Sequence, residues 1–163
     1  MAKTVKKMQT QPILVPVDFS EHSEAALLFA SELAECIPSP LIVLHVVHDP
    51  GDAPGFYAGR QSTDDLKKIE DVASEMMHDF MQRMTDEHPD KACLKHAETK
   101  LLVGLPVTRI LEAVEKVQPH MVVMGSKGRT GLSHILLGSK AEQIVRLSPV
   151  PVTIVKAQEA QDQ

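Results

Sequence analysis

Short apolar runs alternate along this chain with longer stretches of helical periodicity, and no other feature restricts the possible folds so strongly. Residues 12–17, 41–47, 121–124 and 150–155 are nearly continuous Val, Ile, Leu and Met, broken by few polar positions. Runs of this length and composition read as strands buried on both faces. The segment 94–103 alternates less cleanly but closes on Leu101, Leu102, Val103 and Gly104, which gives a third strand in chain order. Between these runs the apolar period changes. After Ser20, a capping residue, Ala26, Phe29, Ala30, Leu33 and Ile37 recur at helical spacing until Pro38 and Pro40. Ser62 is placed to cap the longest helix, in which Leu66, Ile69, Val72, Ala73, Met76, Met77, Phe80 and Met84 share one face. Its methionines read as core filler. Pro106 opens a helix with Val107, Ile110, Leu111, Val114 and Val117 on one face, ending before Pro119. Ser139 and Glu142 have capping-box spacing ahead of Ile144, Val145 and Leu147. Strand and helix in strict alternation predict a single α/β domain with a doubly wound parallel sheet, helices on both faces and right-handed crossovers.

At 163 residues the chain has enough length for one such core, placed at residues 12–156 between a basic polar extension (1–11) and a polar tail (157–163). Seventeen basic against 22 acidic residues leave a net charge of −5, which opposes non-specific attraction to nucleic acid or anionic lipid. Aromatic residues make up only 3%, so stacking platforms for single strands are scarce. No apolar run has the length of a membrane span and no signal peptide is evident, so a cytoplasmic location is expected. Cys36 and Cys93 are then expected to be reduced, and neither sits in a nucleophile motif.

The segment richest in chemistry is Gly125, two residues, Gly128, nine residues, then Gly138 and Ser139, a G-x2-G-x9-G-S pattern with a strand before it and a helix after. Glycines let the main chain approach a ligand closely, and the amides that open a helix offer donors and a positive dipole end to phosphate oxygens. Lys127, Arg129 and Lys140 add positive charge to an otherwise acidic chain. Two competing nucleotide motifs are missing: there is no G-x-x-x-x-G-K-[ST], and the turn after the first strand is Asp18-Phe19-Ser20 rather than G-x-G-x-x-G. In a sheet ordered 3-2-1-4-5, strands 1 and 4 flank the switch point and bring Asp18 and Gly125 to one crevice.

These residues resemble the ATP-binding branch of the universal stress protein family over nearly the whole chain. The marks are Val15-Pro16-Val17-Asp18-Phe19-Ser20, Leu44-His45-Val46, Gly104-x-Pro106, Val122-Val123-Met124-Gly125, the glycine loop, and Pro151-Val152-Thr153-Ile154-Val155. The resemblance implies a Rossmann-like five-stranded domain that binds ATP, ADP or AMP, with Mg2+ or Mn2+ carried by the phosphates. It assigns Val17, Asp18 and Val46 to the adenine and ribose side and Met124 and Gly125 to the floor, and Pro16 is counted among the binding residues. Gly128, Gly138, Ser139 and Lys140 would then cradle the phosphates, with Lys127, Arg129 and Ala141 also counted among the binding residues, and Asp18 would also face the divalent ion. A homodimer joined through the last strand, residues 150–156, is implied as well. The family usually carries an acidic residue where this chain has His120, at the end of the fourth strand remote from the crevice.

Each of these residues also has a plainer role open to it. Asp18 could help Ser20 cap the first helix, Ser139 is the expected N-cap of the last, and Gly125 and Gly128 could be turn residues. Lys127 and Arg129 could be solvated loop charges. His45 and His48 lie three apart in a strand and so point to opposite faces, which argues against a shared metal site and places His45 in the core or pocket wall. The function expected is a nucleotide-dependent regulatory or protective module. A slow ATP hydrolase or phosphotransferase is the alternative, with Asp18, Ser126, Ser139 or His134 as the groups available to position water. A nucleotide-free dimerisation platform is the third reading.

Overall fold

The continuous apolar runs become the interior of a parallel sheet. The computed structural model describes residues 10–47, 66–128 and 137–157. In chain order the elements are β1 (Ile13–Pro16), α1 (Glu21–Cys36), β2 (Leu41–Val47), α2 (Leu66–Glu87), α3 (Ala92–Lys95), β3 (Glu98–Val103), α4 (Pro106–Val117), β4 (Met121–Gly125), α5 (Ser139–Leu147) and β5 (Val152–Val155). The strands lie in the order β3-β2-β1-β4-β5, every adjacent pair parallel, which is the expected doubly wound α/β fold.

Side-chain alternation along the strands divides the core into two layers. Ile13, Val15 and Val17 point to the face covered by α1 and α2, where they meet Ala26, Leu27, Ala30, Met77, Phe80 and Met84. Leu14 points the other way, with Ile42, Leu44, Val46, Val122 and Met124, against Ile110 and Val114 of α4 and Ala141 and Ile144 of α5. Met77 and Met84 are buried at 3% and 1% exposure, so the methionine stripe of α2 is packing surface. Ser20 caps α1 as expected, its Oγ accepting from the Ser23 amide at 3.3 Å.

Three boundaries differ from expectation. A single turn, α3, precedes β3, which begins at Glu98 and lies half-exposed at the edge of the sheet, where Lys100 pairs with Glu98 at 2.5 Å. Edge strands commonly carry such charges, and they obscure the apolar signal. β5 starts at Val152 rather than Val150, because Ser148 Oγ accepts from the Val150 amide in a local turn and Pro151 has no amide hydrogen. Ser139 is not the N-cap of α5: Gly138 holds that position with φ −68° and ψ 148°, and the capping box is not formed. The Gly138 amide donates to the Ser126 carbonyl at 2.7 Å, which fixes the helix start one residue earlier. Ser62 lies outside the described residues.

Candidate functional site

The main chain leaves β1 and β4 toward opposite faces of the sheet, α1 joining one core layer and α5 the other. A crevice opens between the two carboxyl ends. Pro16 helps to open it. Ile13 donates to Pro40 O at 2.9 Å and Val17 to Leu44 O at 2.8 Å, so odd positions of β1 donate toward β2. The amide of residue 16 falls on the β4 side by alternation, and proline has no hydrogen to offer there. The β1–β4 register runs through Ile13↔Met121 and Leu14↔Val122.

Beyond Val17 the chain turns sharply. Phe19 takes a left-handed φ of 63°, and Asp18 Oδ1 accepts from the Ser20 hydroxyl at 2.5 Å and the Ser20 amide at 3.2 Å. Asp18 therefore does support the start of α1. Its second oxygen points across the crevice: a Cβ added to Gly128 would lie 2.7 Å from Asp18 Oδ2. Asp18 and the glycine loop are in direct apposition.

On the β4 side, Gly125 passes beneath the first turn of α1, where an added Cβ would sit 2.8 Å from the backbone carbon and oxygen of His22. Ser126 then ties three elements together, donating its amide to Val155 O at 2.8 Å and accepting from the Gly138 amide. Its side chain is 1% exposed, and Oγ has no hydrogen-bond partner among the described residues. A buried hydroxyl in that state costs about 1–3 kcal/mol. Ser126→Ala is therefore expected to leave the fold intact and raise the melting temperature, by roughly 2–12 °C; a clear fall in calorimetry would show that the hydroxyl has a partner in solution. Burial also removes Ser126 from the groups able to position water at a ligand.

With Gly138 as N-cap, the capping residue has no side chain to satisfy the first amides of α5, those of Ser139, Lys140 and Ala141. The side chains of Ser139 and Lys140 are exposed, Lys127 is half-buried and Gly128 exposed. Uncapped amides, a positive dipole end and nearby lysines make this helix end suited to an anion.

The remaining candidates divide between layers. Val46, Met124 and Ala141 share the core cluster on the α4–α5 face, whereas Val17 belongs to the α1–α2 face. Pro16 is buried at the end of β1. Arg129, His134, His48 and the segment 49–61 lie outside the described residues. His120 is at the far end of β4, donating its amide to Pro12 O at 2.8 Å. Cys36 is exposed; Cys93 is half-buried, its Sγ donating to Ser31 O at 3.5 Å, and burial pushes its thiol up, away from the reactive thiolate. Two contacts had no signal in the sequence: His45 Nδ1 lies 2.8 Å from the Val17 carbonyl oxygen, and His22 Nδ1 accepts from the Ala157 amide at 3.2 Å. Both join residues distant in sequence.

Among the described residues no group of three His, Cys, Asp or Glu side chains could hold a metal on its own, and no helix is long and apolar enough to cross a membrane. Asp18 is the carboxylate facing the crevice from β1. Magnesium keeps several waters and takes phosphate oxygens readily, so one carboxylate fits an ion delivered with phosphates rather than a protein cage.

The sequence matches the universal stress protein family over residues 9–156. Universal stress protein MJ0577 of Methanocaldococcus jannaschii is 29% identical over 153 residues, with 88% of this chain and 93% of the relative covered. Its solved structure superposes with a TM-score of 0.67 at 24% identity, covering 93% of this chain and 99% of that one. A universal stress protein from Archaeoglobus fulgidus solved in complex with dAMP gives a TM-score of 0.59 at 26% identity, covering 91% and 100%. Another solved in complex with cAMP gives 0.66 at 21%, covering 92% and 99%. The family match spans both walls of the crevice and all five strands, and the chain belongs to the universal stress protein family.

Proposed function

We propose that the switch-point crevice binds an adenine nucleotide, ATP foremost, and that the protein acts as a nucleotide-dependent regulatory or protective module in the stress response. The observation that carries this reading is the apposition of Gly128 with the Asp18 carboxylate beside an α5 N-terminus that has no side-chain cap. Pro16, Val17, Asp18 and Val46 would receive the base and ribose, with Met124 and Gly125 beneath them. Lys127, Gly128, Arg129, Gly138, Ser139, Lys140 and Ala141 would take the phosphates, each favourable charge at the helix end contributing about 0.3–1 kcal/mol where exposed. Asp18 would face a Mg2+ or Mn2+ ion bound through those phosphates. The relatives solved with dAMP and with cAMP support an adenine ligand, and ADP or AMP would use the same base and ribose contacts.

The deciding experiment denatures protein purified without added nucleotide, identifies what is released by chromatography, and titrates the stripped protein with ATP and Mg2+ by calorimetry. Near-stoichiometric adenine nucleotide, or micromolar binding, is expected. No release and no binding up to millimolar ATP would overturn the reading. Phosphate release over many turnovers would make the chain a slow hydrolase instead.

The edge strand β5 is apolar and only half-buried along its length. An open apolar edge invites pairing with another strand, and a second copy of the chain, joined antiparallel through residues 150–156, would cover Val152 and Ile154. Sedimentation at micromolar concentration is expected to give a dimer; a monomer would refute this assembly.

A further inference from the structure

Two observations on the α1 side of the switch point are not used by the nucleotide reading. His45 of β2 is 2% exposed, and its Nδ1 lies 2.8 Å from the Val17 carbonyl oxygen. A carbonyl oxygen only accepts, so Nδ1 carries the hydrogen and donates it. The imidazole also lies against Phe19, ring centroids 4.4 Å apart at 32°. Phe19 in turn reaches Phe80 of α2 at 5.4 Å and 60°. Its left-handed φ of 63° is one that aromatic residues rarely adopt and that persists only where the surroundings hold it.

We propose that His45 is a positioning residue for the ligand site, clamping the Val17 carbonyl with Nδ1–H and holding Phe19 in its left-handed turn with the ring face, so that Asp18 is presented toward Gly128. Asp18 is bracketed by these two contacts. The residue before it is pinned at its amide by Leu44 O and at its carbonyl by His45, and the residue after it is wedged between His45 and Phe80. With the backbone fixed on both sides, the Ser20 hydrogen bonds need only set the carboxylate rotamer. Histidine suits the position because it donates in the ring plane and packs through the ring face at once. Asparagine reproduces the donor without the ring, and leucine the bulk without the donor. The role assigned to Asp18 as a ligand contact rests on the nucleotide reading; the clamp on the turn does not.

The test keeps those two apart. In the ligand-free full chain, 15N spectroscopy of the imidazole is expected to show the hydrogen on Nδ1; a tautomer protonated only at Nε2 overturns the clamp. In His45→Leu the Ser20 amide is expected to exchange with solvent about tenfold faster, with α4 amides on the opposite face unchanged, and His45→Asn is expected to recover most of the protection. Acceleration spread evenly over the chain, or none at Ser20, would make His45 an ordinary core residue. ATP affinity by calorimetry is expected to fall about tenfold in His45→Leu and less in His45→Asn. Unchanged affinity in His45→Leu with faster Ser20 exchange overturns the positioning role. If the unsubstituted protein binds no adenine nucleotide, the proposed function falls while the tautomer and exchange data still decide the clamp. Should the leucine variant not fold, the tautomer and the asparagine variant decide it.

Discussion

Gly128→Val is expected to lower ATP affinity at least about tenfold while the melting temperature stays within about 2 °C of the parent. Gly128 is exposed, so a larger side chain there disturbs little packing, and surface substitutions of that kind stay within about 0.5 kcal/mol. The added Cβ would nevertheless fall 2.7 Å from Asp18 Oδ2, well inside van der Waals contact. Asp18 is tethered through Oδ1 to Ser20, so the glycine loop is the partner that gives way. A displaced loop can no longer bring its backbone close to a phosphate. Titration calorimetry beside a thermal melt checks both halves, and unchanged affinity in the folded variant would remove Gly128 from the site.

The same substitution three residues earlier is expected to act on stability. In Gly125→Val the new Cβ meets the His22 main chain at 2.8 Å and its Cβ at 2.9 Å, at the first turn of α1, and main chain cannot rotate away. Overpacking of this kind costs about 1–3 kcal/mol. With Gly125 wedged between a central strand and a long helix, about 3 kcal/mol is expected, or a melting temperature lower by roughly 6–12 °C. Even alanine introduces the offending atom. A Gly125→Val protein that melts with the parent would show that α1 and β4 are not in this contact. On the proposed reading Gly128 serves ligand approach, whereas Gly125, besides lying beneath the ligand, is required for helix–strand approach, although a sequence pattern writes them identically.

How far the sequence was legible follows from where the information resides. β2 and α4 match expectation residue for residue because buried runs and an amphipathic stripe are local signals, and the proline at the start of α4 marks its own boundary. The β3 edge was harder because Glu98 and Lys100 are polar. The expected capping box at Ser139 and Glu142 was locally sound, but a hydrogen bond from Gly138 to Ser126, across the glycine loop, sets the helix start. The candidate site was legible in part: strand order alone places Asp18 and Gly125 at one crevice, and the glycine pattern adds Gly128, Gly138 and the nearby lysines as candidates. Its internal wiring was not. The grip of His45 on Val17, the packing of Phe19 on His45 and Phe80 and the junction at Ser126 are contacts between segments far apart in the chain, and no local pattern encodes them.

The strand order has a consequence for how the protein is made. β1 leaves the ribosome first yet occupies the centre of the sheet, with β2 on one side and β4 on the other. Everything needed for the β3-β2-β1 half, including α1 and α2, has been synthesised before the first residue of β4 appears. Until then the nascent chain carries β1 with one edge uncovered, the edge that will border the crevice. Both walls of the site coexist only once β4 and α5 have been translated, so the crevice is completed late, with only β5 still to follow. Translation pausing before residue 121 would therefore leave a half-sheet without a site.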